Sequence, residues 1–176
     1  MTNQAERVVT LYRQLLESWN TRNADTFAAA FTDEGSCVGF DGSTMNGPAE
    51  IASTLRGIFE QHPTASYVAK VREVRALAPG VVLLRSVVGM VPPGKDELKP
   101  DVNAIQSLVI IERDAGMKVA LLQNTPAAFH GRPELARQLT SELTDVLRSG
   151  QILTTDLIPS AFSAPARAPR HPVPRH

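Results

Sequence analysis

The sequence predicts an α+β protein in which helices precede a run of strands. Apolar residues recur with helical spacing up to about residue 62, and apolar strand segments follow between about 66 and 124. A final amphipathic helix lies beyond them. Helices grouped before a meander of strands favour an antiparallel sheet packed against helices over a parallel α/β sheet. The predicted order is helix, helix, strand, helix, four strands, helix.

The first helix is predicted from a single apolar stripe. Its members are Val8, Leu11, Tyr12, Leu15, Leu16 and Trp19. Intervals of three and four residues place them on one helical face. Asn3 with Glu6 resembles a capping box, so we expect a helix over about 4–20. Asn23 is then positioned to cap a short second helix.

One strand and one helix follow. GSCVGF is typical of a strand, and DGSTMNG of a turn. Pro48 stands where a first helical residue is expected, and Ile51 and Leu55 continue with helical spacing. Because the residue before a proline resists helical geometry, this helix should end near His62-Pro63.

The middle of the chain predicts two strand pairs. SYVAKVREVRAL and VVLLRSVVGMV flank Pro79-Gly80, which indicates an antiparallel hairpin. Glu73 and Arg85 lie at nearly equal distances from this turn, so we expect them to pair across the hairpin. AIQSLVIIER and MKVALLQN form the second pair, joined by a turn at 114–116.

The last helix is predicted to begin at Pro133 and to be capped by Gly150. Strands near 81–91 and 104–112 are apolar on both faces. An antiparallel sheet normally has one wet face, so a second cover is needed. The last helix can supply part of it, and we expect a homodimer through the convex face of the sheet to supply the rest.

Composition excludes several classes of protein. The chain has 176 residues, with 18 basic against 18 acidic side chains and one cysteine. We expect one domain over 1–152, no nucleic-acid partner and no disulfide framework. No apolar run is long enough to span a membrane, and the start resembles no secretory signal, so we expect a cytoplasmic protein with no membrane partner. Residues 153–176, rich in Pro and Arg, predict a disordered tail.

The order of elements resembles that of the nuclear transport factor 2-like superfamily, which includes ketosteroid isomerase and the SnoaL-like polyketide cyclases. The residues that carry this resemblance are Trp19, Asn20, Asp25, Phe27, Phe31 and Asp33. The segment LLQNTPAAFHGRPE, residues 121–134, is similar to the SgcJ/EcaC family, which accompanies polyketide and enediyne biosynthesis. The resemblance implies a cone-shaped curved sheet that encloses a pocket with the first three helices, and a dimer contact on the convex face.

No motif points to a cofactor or a metal. The glycines do not spell the dinucleotide fingerprint or a phosphate-binding loop, so the oxidoreductase label of the SgcJ/EcaC family has no support in these residues. The histidines are His62, His130, His171 and His176, and none belongs to a metal-binding motif. We therefore expect no cofactor and no metal.

Acid/base chemistry is the serious enzymatic alternative. Ketosteroid isomerase needs a carboxylate base and an oxyanion pair of Tyr and protonated Asp. Alignment places these positions on Gly39, on Leu15 and near Ser107, so that machinery is absent. The remaining candidate bases are Asp33, Asp41 and His130. For Asp33 a structural role in capping or turning the chain is the favoured interpretation, and His130 fits either a pocket rim or a loop anchor.

The remaining candidates are ligand-binding residues. Only one of two adjacent strand residues can face inward, so we choose Ser107 over Gln106 and Asn124 over Gln123. The predicted ligand-binding set is Leu15, Trp19, Phe59, Ser107, Asn124 and Phe129. Uncharged polar groups in an apolar cone suit a hydrophobic polyketide or polyene-like intermediate. Two alternatives stay open: a cyclase or isomerase with a carboxylate or His base, and a non-catalytic association module.

Overall fold

Residues 2–157 are described by a computed structural model, as a curved seven-stranded sheet with four α-helices. The helices are α1 (Asn3–Asn20), α2 (Ala24–Ala29), α3 (Gly47–Gln61) and α4 (Pro133–Arg148), with a 3₁₀ turn at Pro100–Val102. The strands are β1 (Phe31–Val38), β2 (Thr44–Asn46), β3 (Ser66–Ala78), β4 (Val81–Val91), β5 (Ala104–Arg113), β6 (Gly116–Pro126) and β7 (Leu153–Thr155). The predicted α+β class is confirmed.

The sheet is ordered β2-β1-β6-β5-β4-β3-β7. Its neighbours are antiparallel except for β1 with β6 and β3 with β7, which run parallel. The predicted all-antiparallel sheet is corrected in these two places. Both parallel contacts join strands that are distant in the chain, so no hairpin signal announces them.

Local signals place most helix ends. The Asn23 side chain caps α2 by accepting a hydrogen bond from the Thr26 backbone N–H at 3.0 Å. At α1 the cap is Thr2, not Asn3, because the Thr2 hydroxyl accepts from the Ala5 N–H at 3.2 Å. The end of α3 at Gln61, just before His62-Pro63, agrees with the prediction.

Each face of the sheet has a separate role. Residues paired in register share a face, and the inner face carries the apolar core, packed under α1 and α3. Its most buried members include Val71, Leu84, Val88, Leu108, Ile110, Val119 and Leu122. On the outer face, α4 covers part of β3 and β4 with Leu139, Leu143 and Val146. The rest of the outer face is partly exposed.

The folded part of the chain extends past the predicted boundary at residue 152. β7 pairs with Ala69–Val71 of β3, and Leu153 is buried. Hydrogen bonding to a sheet edge and burial of one leucine explain why these residues join the domain. Residues 158–176 of the predicted tail lie outside the described residues. No helix within 2–157 is long and apolar enough to cross a membrane.

Candidate functional site

A row of neutral polar side chains crosses the inner face of the sheet, and we call it the inner polar row. It consists of Ser86 on β4, Gln106 on β5 and Asn124 on β6, with Tyr12 of α1 above them. Strand register brings the three sheet residues side by side, because Ser86 pairs with Gln106 and Gln106 with Asn124.

Hydrogen bonds run through this row in one direction. The Tyr12 hydroxyl donates to Gln106 Oε1 at 2.6 Å, so the Ser86 hydroxyl, 2.5 Å away, donates to the Tyr12 oxygen. Gln106 Nε2 donates to Asn124 Oδ1 at 2.9 Å. Asn124 Nδ2 then donates to the Val38 carbonyl of β1 at 3.1 Å. Such a chain polarises each successive bond and fixes the row as a unit.

The row is sealed at one end and accessible at the other. Tyr12 is 0% exposed, Ser86 1% and Gln106 2%. Asn124 is only partly buried, and it keeps one amide N–H beyond the bond to Val38. Asn124 is therefore the member of the row most accessible from outside.

No member of the row titrates near neutral pH. Burial raises the pKa of Tyr12 far above its usual value, although the hydrogen bond from Ser86 opposes the shift. The phenol stays protonated, and a serine and two amides do not ionise. Burial also raises the pKa of the nearby Cys37 thiol to about 12. The row can donate and accept hydrogen bonds, but it holds no proton-transfer group suited to neutral pH.

Asp41 lies three residues after Val38, whose carbonyl ends the row. Its Oδ1 accepts hydrogen bonds from the Ser43 hydroxyl at 2.6 Å and the Ser43 N–H at 2.9 Å. These bonds lower its pKa, so the carboxylate stays ionised. A Cβ added at Gly39, the position aligned with the isomerase base, would lie 3.2 Å from Asp41 Oδ1. Asp41 thus stands beside that position, fully exposed.

The other two candidate bases lie apart from the row. Asp33 is an exposed residue of β1, not of a helix or turn. His130 is exposed in the turn between β6 and α4. No described hydrogen bond or ion pair joins either side chain to the row.

Trp19 and Phe59 are brought together in an aromatic cluster. Their ring centroids lie 5.3 Å apart in an edge arrangement, and Tyr67 lies 5.4 Å from Trp19. The Trp19 N–H donates to the Ala65 carbonyl at 2.9 Å, which satisfies its polar atom. Both residues therefore hold the end of α1 against α3 and β3.

The remaining predicted ligand residues are dispersed. Leu15 is fully buried one helical turn after Tyr12. Ser107 pairs with Arg85 and Gln123 on the outer face, so the choice of Ser107 over Gln106 is corrected. Phe129 has a φ of 42° and lies under the Arg132 guanidinium in the turn before α4. Of the predicted set, only Asn124 belongs to the inner polar row.

Sequence reasoning missed Tyr12, Ser86 and Gln106. Both faces of β5 carry apolar residues, with Leu108 and Ile110 on one face and Val109 and Ile111 on the other. The alternation of side chains along the strand therefore did not show which face points inward. One signal was available: a tyrosine on a buried helical stripe needs a partner for its hydroxyl. Among residues 2–157, no group of three His, Cys, Asp or Glu side chains is arranged to hold a metal ion.

Several solved structures are similar in fold to this chain, with its curved sheet and the helices on its inner face. A domain with a cystatin-like fold from Nostoc punctiforme is 22% identical, with a TM-score of 0.68 over 85% of this chain and 98% of that chain. A ketosteroid isomerase-like protein from Erwinia carotovora atroseptica is 15% identical, with a TM-score of 0.57 over 73% and 99%.

The similarity extends to another type of domain. A putative calcium/calmodulin-dependent protein kinase type II association domain from Thiobacillus denitrificans is 15% identical, with a TM-score of 0.59 over 67% of this chain and 93% of that chain. At such identities the likeness concerns the fold alone. A search of curated proteins gives no match.

The family follows from the sequence itself. The SnoaL-like domain family matches residues 8–118, well over half of the chain. The protein therefore belongs to the SnoaL-like domain family, within the nuclear transport factor 2-like class. The matched range ends just inside β6, so α4 and β7 lie beyond it.

Proposed function

We propose that the protein binds an uncharged, hydrophobic polyketide or polyene-like intermediate of secondary metabolism on the inner face of its sheet. The intermediate would be shielded from water and held in a shape suited to folding or cyclisation, by proximity more than by acid/base groups. The similarity of residues 121–134 to the SgcJ/EcaC family supports a polyketide or enediyne setting.

The observation that carries this proposal is the neutrality of the inner polar row. Every group in it is uncharged at physiological pH, and apolar side chains surround it. A charged ligand would lose its hydration without gaining an opposite charge. A neutral ligand with a few oxygen atoms loses much less, and the free N–H of Asn124 offers it a directional contact.

Entry of the ligand requires movement of the inner face. In this conformation the side chains of Tyr12, Leu15 and Gln106 are almost fully buried in the core. A ligand oxygen can accept from the free N–H of Asn124 without breaking its bond to Val38 or the buried Tyr12–Gln106 bond. We therefore expect ligand binding to start at Asn124 and to spread inward.

A cyclase or isomerase is the second candidate function, and the position of Asp41 favours it. Its ionised carboxylate stands beside Gly39, which directly follows the Val38 carbonyl at the end of the row. A substrate held at Asn124 would have to reach this carboxylate for proton abstraction. In that case Asp41→Asn should abolish turnover and retain binding.

The proposal includes a homodimer through the open part of the outer face. Leu83, Val109 and Leu121 lie there in register on three adjacent strands, each partly exposed. A continuous apolar surface of this kind favours burial against a second copy. An association module without a ligand is the remaining alternative, and the tight burial of Tyr12 and Gln106 is the observation that favours it.

The test is ligand-dependent thermal stabilisation. A panel of neutral polyenes and polyketides should raise the Tm, whereas their carboxylate analogues should not. Asn124→Leu should weaken binding about tenfold or more, by removal of the accessible amide. Gln123→Leu is the matched control, since Gln123 is the neighbouring amide on the outer face. Equal binding by the two variants would refute the inner-face site.

A further inference from the structure

A cavity lies outside the inner face, between α4 and the segment that precedes β5. Its volume is about 640 Å³. One wall is a side of α4, and the other is formed by Pro100, Asp101 and the alanines at 127 and 128. Leu139 and Asn103 lie at its floor, both buried. The cavity shares no lining residue with the inner polar row.

The wall from α4 is cationic at both ends. Arg137, Ser141, Thr144 and Arg148 line it at intervals of four, three and four residues, which keeps them on one helical side. The two arginines are about 16 Å apart along the helix axis. Neither takes part in any ion pair formed among residues 2–157. Both guanidinium groups are therefore free to bind an anion.

The middle of the cavity instead presents hydrogen-bond acceptors. Thr144 donates its hydroxyl proton to the Thr140 carbonyl at 2.8 Å, so toward the cavity its oxygen can only accept. Asp101 adds a carboxylate. Asn103 is 5% exposed, and its Nδ2 donates to Thr140 Oγ1 at 3.0 Å. Its Oδ1 has no partner in the described part of the chain, but this atom is fully buried and lies 3.3 Å from the position that a Cβ on Gly89 would take, so it faces β4 and not the cavity.

This lining selects for one kind of ligand chemistry. Arginine binds phosphate through paired N–H donors. Asp101 and Thr144 ask for N–H or O–H donors on the same ligand, and Asp101 repels a second anion near the middle. Leu139 and the alanines can contact short apolar segments of the ligand.

We propose that this cavity binds a linear phosphate ester that carries amide N–H groups, such as a phosphopantetheine arm. The phosphate binds at Arg137 or Arg148, and the amide N–H groups reach the acceptors between them. The site does not depend on the function proposed for the inner face, because it shares none of its residues.

Isothermal titration calorimetry of the full chain tests the site. The three probes are 4′-phosphopantetheine, pantetheine and inorganic phosphate. The phosphorylated arm should bind saturably, and each of the other two should bind at least about tenfold more weakly. The double variant Arg137→Gln/Arg148→Gln should lose binding to the same extent. Arg113→Gln, an exposed arginine on β5, is the matched control and should bind normally.

Two further experiments locate the site and identify the source of the ligand. Thr144→Leu should weaken the arm, whereas Asn124→Leu on the inner face should leave it unchanged. Tighter binding of free coenzyme A than of a carrier protein bearing the arm would indicate a soluble source, and the reverse order would indicate delivery by that carrier. No saturable binding, or binding that survives the double arginine variant, would overturn the proposal while leaving the inner-face function untouched.

Discussion

Tyr12 is the residue on which the inner polar row depends. Its hydroxyl accepts from Ser86 and donates to Gln106, and all three side chains are removed from water. A hydroxyl at this depth costs free energy unless both of its roles are filled. The row is therefore a cooperative unit, and removal of one atom affects three residues.

The variant Tyr12→Phe tests this dependence. It leaves Gln106 Oε1 and the Ser86 hydroxyl without their partner, so we expect a loss of about 1–3 kcal/mol in the free energy of unfolding. Denaturant unfolding measures it. Because Tyr12→Phe with Gln106→Leu removes both partners, the double variant should lose less than the sum of the single losses. Strictly additive losses would show that the row does not act as a unit.

At the residue scale, the sequence predicted the uncharged character of the candidate site better than the positions of its residues. The alignment that expects Gly39, Leu15 and Ser107 in place of the isomerase's catalytic groups stays a prediction. The inward choice between Gln106 and Ser107 was not evident, because both faces of β5 are apolar. Asn124 was placed correctly on the inner face, and Glu73 pairs with Arg85 at 2.7 Å as predicted from their distances to the turn.

Among the elements, α4 is joined to the sheet at a glycine. A Cβ on Gly89 of β4 would lie 2.9 Å from Leu98 Cδ2 and 3.2 Å from Leu143 Cδ1. The bare backbone lets Leu143 of α4 reach the strand. The contact also brings Asn103 to this point, since its Oδ1 lies 3.3 Å from the same position.

We expect Gly89→Ala to lower the free energy of unfolding by about 1–3 kcal/mol, because the added methyl overpacks this contact. The matched control is Gly57→Ala in α3, where a Cβ would meet nothing within 4 Å. That helical substitution should instead stabilise the protein by about 0.5–1 kcal/mol. Chemical denaturation of the pair measures both signs, and stabilisation by Gly89→Ala would show that α4 does not pack as described.

An ion cluster fastens α4 and β7 to β3. Glu142 contacts Arg72 and Lys70, and Asp156 contacts the same two cations. Burial alone would raise the pKa of Glu142, but the hydrogen bond and charge of Arg72, the charge of Lys70 and the hydrogen bond from Gln138 together hold the pKa below its usual value. A lowered folded-state pKa means that this stabilisation is fully present above the unfolded pKa of about 4.3 and is lost as the pH falls through the lower folded-state pKa.

The pH dependence of unfolding checks this assignment. Between about pH 5 and pH 3 the wild-type protein should lose stability more steeply than Glu142→Gln, which has no carboxylate left to protonate. Glu97→Gln, at an exposed residue outside the ion pairs of the described chain, should follow the wild-type curve. Parallel curves for all three proteins would show that Glu142 contributes nothing to acid stability.

At the element scale, prediction succeeded where a signal is local. Helices with a stripe and a cap, and hairpins with a Gly turn, were found close to their bounds. The three-residue strands β2 and β7 were not predicted, because each is stabilised by a partner that is distant or lies across a turn. The parallel pairing of β1 with β6 has the same cause, since long-range register leaves no trace in either segment.

The whole molecule has two unequal sheet faces, and its predicted assembly follows from them. If the open outer face is a dimer interface, Val109→Glu should yield monomers, because it places a charge in the centre of an apolar contact. Light scattering coupled to size exclusion measures the mass of each form. Lys99→Glu, at an exposed residue before the 3₁₀ turn, should remain dimeric. A monomeric wild-type protein would exclude this interface.

The central claim is that the inner face holds a neutral hydrophobic ligand. Native mass spectrometry of the protein purified from a polyketide-producing host tests it most directly, followed by denaturing extraction of what is bound. We expect one neutral polyene or polyketide per protomer of a dimer, absent from Asn124→Leu and present in Gln123→Leu. An empty dimer that no apolar ligand stabilises would contradict the claim and favour an association module.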